Sequence, residues 1–164
     1  MSKSNNIVSK IVNSSDDYTI NSPEKLLEFI KVNLTPNEKE RKENGEVFTP
    51  MWLVNEMLDK LPSDVWSDKN CKWLDPAVGI GNFPIEIYLR LMEGLKKIII
   101  DKSERRKHIL ENMIYMIDIN DKNINILKKI FCGNKYNLNI YKGSFFGKNK
   151  DGSDNYTMPG SWIK

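Results

Sequence analysis

The chain has 164 residues, the length of one ordinary domain, and its 40% hydrophobic content is sufficient for a buried core. The 25 Lys and Arg residues against 22 Asp and Glu residues leave a net charge of +3, so composition alone does not indicate nucleic-acid binding. No signal peptide and no apolar run long enough to span a bilayer can be found, which predicts a cytoplasmic protein that does not bind membranes.

The first 62 residues are predicted to form a leader and two helices. Residues 1–21 are polar and lack periodicity, which is typical of a flexible leader. Ser22 and Pro23 favour the start of a first helix. Its apolar residues recur at helical spacing: Leu26, Leu27, Ile30 and Leu34. A second helix is predicted to start at Thr49 and Pro50 and to end before Pro62. Its apolar face contains Leu53, Val54, Met57, Leu58 and Leu61.

Strand patterns alternate with helix patterns between residues 63 and 145. Short apolar runs, CKWLD, MIYMID and LNIYK, predict three strands. Helices are predicted over NFPIEIYLRLMEGLKK, over SERRKHILEN with Ser103 as its cap, and over NDKNINILKKIF, which Gly133 ends. This alternation predicts an α/β fold, a Rossmann-like, doubly wound parallel sheet with helices on both faces. Three strands are few for this architecture, so we expect an incomplete sheet with a bare edge.

Two further expectations concern the cysteines and the tail. Cys71 and Cys132 lie outside any metal-ligand spacing, so they are predicted to be buried, reduced thiols, and no metal site is predicted. Residues 146–164 contain clusters of Gly, Ser, Asn and Asp, which predict a loop-like tail.

The stretch WLDPAVGIGNFP joins the first predicted strand to the helix that follows. Gly79 and Gly81 allow a ligand to approach the backbone. A dinucleotide site requires a third glycine where this chain has Pro84, and Asp75 at the strand end would repel a phosphate. No GKS or GKT follows the glycines, which excludes a P-loop. The loop therefore favours a cationic ligand.

Asp118 ends the second predicted strand, at the same edge of the sheet. A carboxylate there can accept hydrogen bonds from both hydroxyls of a ribose, and Ile119 offers an apolar face to a base. An ordinary capping role for Asp118 is the alternative. A cation near Asp75 and a ribose at Asp118 together describe S-adenosylmethionine better than a dinucleotide.

Three motifs in order, GEVFTP, LDPAVGIGNF and IDIN, resemble the opening motifs of S-adenosylmethionine-dependent adenine-N6 DNA methyltransferases, especially the Eco57I-like restriction-modification class. The resemblance covers residues 40–145 and implies that the chain is the amino-terminal portion of such an enzyme. It implies cofactor-binding roles for Phe48, Thr49, Asp75, Pro76, Ala77, Gly79, Gly81, Asn82, Phe83, Asp118, Ile119 and Ser144. Phe48 and Phe83 also fit a hydrophobic core. Ser144 departs from the pattern, since many members have an acid there.

The family's catalytic tetrapeptide, Asn or Asp followed by Pro-Pro and an aromatic residue, occurs nowhere in the 164 residues. That motif accepts hydrogens from the adenine amine and stacks the flipped base. We therefore expect no catalytic residue here and no activity of the chain alone, with DNA contacted through segments that are mostly absent from it.

Two alternative functions stay open at this point. The chain could be a non-catalytic module that binds the cofactor, or that a second chain completes by supplying the missing strand. It could also belong to a methyltransferase that acts on RNA, protein or a small molecule, since such enzymes share the glycine loop.

Overall fold

The computed structural model describes residues 19–23, 25, 26, 28, 49–148, 151–156 and 159–162. In the first predicted helix, residues 23, 25, 26 and 28 are helical, and Leu26 is fully buried. Leu27, Ile30 and Leu34 lie outside the described residues, as do Phe48 and residues 1–18 of the predicted leader.

The helices and strands follow the predicted alternation. They are α1 Met51–Leu58, β1 Trp73–Asp75, α2 Asn82–Gly94, α3 Lys102–His108, β2 Ile114–Asp118, α4 Asp121–Ile130, β3 Asn139–Lys142, β4 Phe146–Lys148 and β5 Asp154–Tyr156. Single helical turns cover Ser63–Trp66, Ile109–Met113 and Gly160–Trp162. No helix among the described residues is long and apolar enough to cross a membrane.

Strands β1, β2 and β3 form a parallel sheet, as the sequence predicted, and the structure gives their order as β1-β2-β3. Right-handed crossovers between strands in sequential order place the connecting helices on the same face. Ile114 and Met116 of β2 accordingly share one core with Leu91 of α2 and Leu127 of α4. In the described residues these helices cover one face, whereas the sequence predicted helices on both faces.

The opposite face of the sheet carries aromatic side chains. Tyr115 and Tyr141 are half-buried, and the Trp162 ring packs edge-on against both, with centroid distances of 5.1 Å to Tyr115 and 6.5 Å to Tyr141. Leu74 of β1 lies on this face and is 40% exposed. Within the described residues β1 is an edge strand, since β2 is its sole neighbour.

Helix α1 is held against α2 by one arginine. The guanidinium of Arg90 forms ion pairs with Asp59, at 2.7 Å, and with Glu86, at 2.9 Å, and lies over the Trp66 ring. Its Nη2 also donates to the Oδ1 of Asn55 over 3.2 Å. These contacts fix the carboxyl-terminal end of α1 against α2.

Several sequence predictions for helix faces and ends were wrong. Met57 is 51% exposed, since the buried face of α1 carries Val54 and Leu58 instead. Leu61 is exposed and lies beyond the end of α1, because the helix ends at Leu58. Asp101, two residues before Ser103, caps α3 by accepting from the backbone N–H of Glu104. The left-handed residue after α4 is the buried Cys132, with φ of 54°, rather than Gly133.

Both cysteines are free, but Cys71 is half-buried rather than buried as predicted. The predicted loop-like tail contains an antiparallel hairpin of β4 and β5, in which Phe146 pairs with Tyr156. Gly152 makes the turn possible with φ of 85°. Phe145 packs against both of these rings, so aromatic contacts stabilise strands that the polar composition obscured.

Candidate functional site

The candidate site lies at the carboxyl ends of β1 and β2, where the loop from residue 76 to residue 81 turns into α2. The backbone N–H of Val78 donates to the carbonyl of Ile117 over 3.0 Å, and that of Gly79 donates to the Oδ2 of Asp118 over 2.8 Å. The glycine loop is thus bound to the end of the neighbouring strand. The proximity predicted for Asp75, the glycines and Asp118 is realised in this arrangement.

Both glycines of the loop have left-handed backbone conformations, with φ of 54° at Gly79 and 95° at Gly81. A Cβ atom at Gly81 would lie 2.7 Å from the Cδ2 of Leu127 and 3.6 Å from the Phe131 ring. Gly81 therefore serves two purposes, since it permits the turn before α2 and lets the loop lie directly on α4.

Asp118 is buried, and its carboxylate accepts three hydrogen bonds from residues that the structure describes. Oδ1 accepts from the backbone N–H of Asn120 over 2.7 Å. Oδ2 accepts from the backbone N–H of Gly79 over 2.8 Å and from the Nδ2 of Asn123 over 3.3 Å. An unpaired buried carboxylate would be costly, so these donors make the burial of Asp118 tolerable.

Asp75 lies on the same face of the sheet as Asp118, because it pairs in register with Met116, two residues before Asp118. Burial raises the pKa of the Asp75 carboxyl; a hydrogen bond from the backbone N–H of Ala77 opposes this, and the nearby charge of Asp118 adds to it. Two carboxylates at adjacent strand ends make this edge of the sheet suitable for a cation and unsuitable for a phosphate.

Asn82 connects the two motifs that the sequence placed 33 residues apart. Its Nδ2 donates to the backbone carbonyl of Thr49 over 2.8 Å, which holds the start of α1 beside the glycine loop. Asn82 is 7% exposed, and within the described residues its buried Oδ1 has no hydrogen-bond partner. A buried acceptor without a donor is costly in a folded protein and is suited to a ligand that donates.

The other predicted site residues are divided between this edge and the core. Ile119 is 71% exposed directly after Asp118. Pro76 is half-buried and Ala77 is exposed in the loop. Phe83 packs against the core, which favours the core interpretation. Ser144 is exposed and its hydroxyl donates to the carbonyl of Phe146 over 2.6 Å, so it contributes to the start of the hairpin.

Asn123 is a site residue that the sequence analysis missed. It lies on the first turn of α4, is 6% exposed and contacts Asp118. The available signal was an amide on the buried face of an amphipathic helix, four residues before Leu127. Among the described residues, no three His, Cys, Asp or Glu side chains are grouped so that they could hold a metal ion.

The fold and this site define an open α/β protein with a glycine-containing loop and two acids at the carboxyl edge of its parallel sheet, compatible with a Rossmann-like class. The chain is similar to a protein of Mycoplasma pneumoniae named an uncharacterized adenine-specific methylase, with 48% identity over 79 residues. The similar segment covers 46% of this chain and 19% of that relative, so the chain matches about a fifth of the relative's length. No known family model matches the chain.

Proposed function

We propose that the chain is the S-adenosylmethionine-binding part of a DNA adenine-N6 methyltransferase of the Eco57I-like class. The observation that carries the proposal is the placement of Asp75 and Asp118 on one face of the sheet, on either side of a loop bound to Asp118. Similarity to an adenine-specific methylase supports the reaction class.

The site residues fit this cofactor in charge and in hydrogen bonding. S-adenosylmethionine supplies an electrophilic methyl group on a cationic sulfur and carries an ammonium group. Asp75 would attract that positive charge, and the buried Oδ1 of Asn82 would accept a hydrogen bond from the ammonium group. Gly79 and Gly81 leave space where side chains would block the approach.

At the adjacent strand end, Asp118 would accept hydrogen bonds from the ribose hydroxyls, and the exposed Ile119 would contact the adenine. Asn82 holds Thr49 beside the glycine loop, where Thr49 would contact the methionine end of the cofactor. The chain would in this way hold and orient the methyl donor and exclude water from one side of it.

Binding is tested by titrating the 15N-labelled chain with S-adenosylmethionine to millimolar concentrations and following amide resonances. We expect shifts at Gly79, Gly81 and Ile119, and much smaller shifts in the Asp75→Asn variant. If no amide resonance of the unmodified chain shifts on titration, the proposal of S-adenosylmethionine binding is wrong. The remote Gly152, on the hairpin turn, is the internal control and should not shift.

We further propose that the chain alone transfers no methyl group to DNA, because it lacks the Asn/Asp-Pro-Pro-aromatic tetrapeptide. Incubation with tritiated S-adenosylmethionine and A/T-rich DNA should leave the DNA unlabelled. Labelling of adenine by the purified chain would contradict this part of the proposal without affecting the cofactor site.

A second candidate function is a module completed by another polypeptide. It is favoured by the described edge of β1, where Leu74 is 40% exposed, and by the aromatic face that carries Tyr115 and Tyr141. Parallel sheets are normally covered on both faces. Co-expression with a polypeptide that carries the tetrapeptide should give a stable complex that methylates adenine, whereas two separate monomers would exclude this candidate.

A further inference from the structure

The carboxylate of Asp118 has too few free positions for the ligand assigned to it. A carboxylate offers about four acceptor positions, two on each oxygen. Gly79 and Asn123 occupy both positions on Oδ2, and Asn120 occupies one on Oδ1. A ribose that donates one hydroxyl to each oxygen therefore needs a position on Oδ2 that a protein group already fills.

The donors on Oδ2 differ in how easily they can leave. The N–H of Gly79 is a backbone group, and its loop is also held by the bond from Val78 to Ile117. It lies 2.8 Å from Oδ2. The Nδ2 of Asn123 lies at 3.3 Å and belongs to a side chain that can turn about its own bonds while α4 stays in place. Asn123 is therefore the donor that can be exchanged.

We propose that Asn123 competes with the cofactor for Asp118: its amide fills the ribose position in the absence of cofactor and is displaced by a ribose hydroxyl. The inference rests on the proposed function. In the empty site the amide keeps a buried carboxylate hydrogen-bonded. A ribose hydroxyl must break that bond to reach Oδ2, so Asn123 lowers the affinity that the ribose contributes, whereas a ligand without the hydroxyls leaves the bond in place.

The test measures dissociation constants of the whole chain for S-adenosylmethionine and for its 2′,3′-dideoxy analogue. Asn123→Ala removes the competing donor, so we expect S-adenosylmethionine to bind about fivefold more tightly than to the unmodified chain. The dideoxy analogue displaces nothing and should bind both proteins equally. Asn123→Leu also cannot donate and retains the side-chain volume, so it should give the same change. It replaces the alanine variant in the test if that variant folds poorly.

Asn139→Ala is the matched control, because Asn139 is a half-buried asparagine whose Nδ2 donates to the carbonyls of Glu111 and Ile114, away from Asp118. It should lower the melting temperature without changing the ratio of the two dissociation constants. If the role of Asn123 is purely structural, the Asn123 variants should likewise lower the melting temperature and leave the ratio of the two dissociation constants unchanged.

Unchanged or weaker S-adenosylmethionine binding by both Asn123 variants would overturn the inference and leave the proposed function in place. Failure of the unmodified chain to bind S-adenosylmethionine at millimolar concentration would overturn the proposed function, and the inference with it. Equal tightening for both ligands would also overturn the inference, since the ribose hydroxyls would then have no part in the exchange.

Discussion

The backbone N–H of Gly79 donates to the Oδ2 of Asp118 over 2.8 Å, so the loop after β1 is attached to the last residue of β2. The bond couples two predicted motifs that lie 39 residues apart in the chain. Asp118 therefore stabilises the conformation of the loop, in addition to any contact that it makes with a ligand. Substitutions at this edge should affect stability and binding together, and the variants below are chosen to separate the two.

Asp118→Ala should lower the free energy of unfolding by about 2–4 kcal/mol, because it leaves the donors of Gly79, Asn120 and Asn123 without their acceptor. Urea unfolding measures this. Asp121→Ala is the control, since its ion pair with Lys142 is exposed and should contribute little. Equal losses in both variants would contradict the importance of the Asp118 hydrogen bonds.

Gly81→Ala should cost more stability than Gly152→Ala, although both glycines have positive φ. Each substitution introduces about 1–2 kcal/mol of backbone strain. At Gly81 the added methyl group also meets the Leu127 side chain, which adds about 1–3 kcal/mol, whereas no described residue lies within 4 Å of a Cβ at Gly152. Equal losses measured by urea unfolding would show that the loop does not pack on α4 as described.

Asp75→Asn should stabilise the cofactor-free chain at neutral pH. Burial raises the pKa of Asp75 in the folded state, so the folded protein holds this proton more tightly than the unfolded chain does. The destabilising effect of the charge is therefore absent below the ordinary aspartate pKa. It grows as the pH rises to the raised folded value and stays constant above it. The unfolding free energies of the unmodified chain and of Asp75→Asn should be equal below the ordinary aspartate pKa. They should differ increasingly as the pH rises towards the raised pKa of Asp75.

The same carboxylate should make cofactor binding depend on pH. A cationic ligand favours ionised Asp75, so affinity should fall as the pH decreases through the raised pKa, and binding at a pH near the raised pKa should release protons. Calorimetry in buffers with different ionisation enthalpies measures this release. Asp75→Asn should bind about tenfold to a hundredfold more weakly and without this pH dependence. A wild-type affinity independent of pH would contradict the role of Asp75.

Asn82→Ala should weaken binding of S-adenosylmethionine about tenfold and change the free energy of unfolding by no more than about 1 kcal/mol. The variant loses the bond to Thr49, but it also removes a buried oxygen that has no described partner. Asn139→Ala loses two hydrogen bonds without such compensation and should be the less stable variant. Reversal of this order in urea unfolding would contradict the account of Asn82.

The predictions from sequence were most accurate where the signal is local. The strand MIYMID and the helix that follows it are present because short apolar runs and helical periodicity bury their side chains wherever they pack. Asp75 and Asp118 were correctly predicted to lie together, since parallel strands bring their carboxyl ends to one edge. The helix cap at Asp101 was missed because Ser103, two residues later, can also cap a helix. The hairpin in the tail was missed because the polar composition of this segment obscured its strands.

The sequence by itself determined the alternating α/β order, the glycine loop and the acids at the strand ends, because periodicity and strand direction are properties of the chain. Only the tertiary structure decided that Asn123 donates to Asp118, that Leu127 lies against Gly81 and that Trp162 packs on Tyr115. Each of these contacts depends on how two separately formed elements pack together. The same packing decides which positions on Asp118 a ligand must compete for.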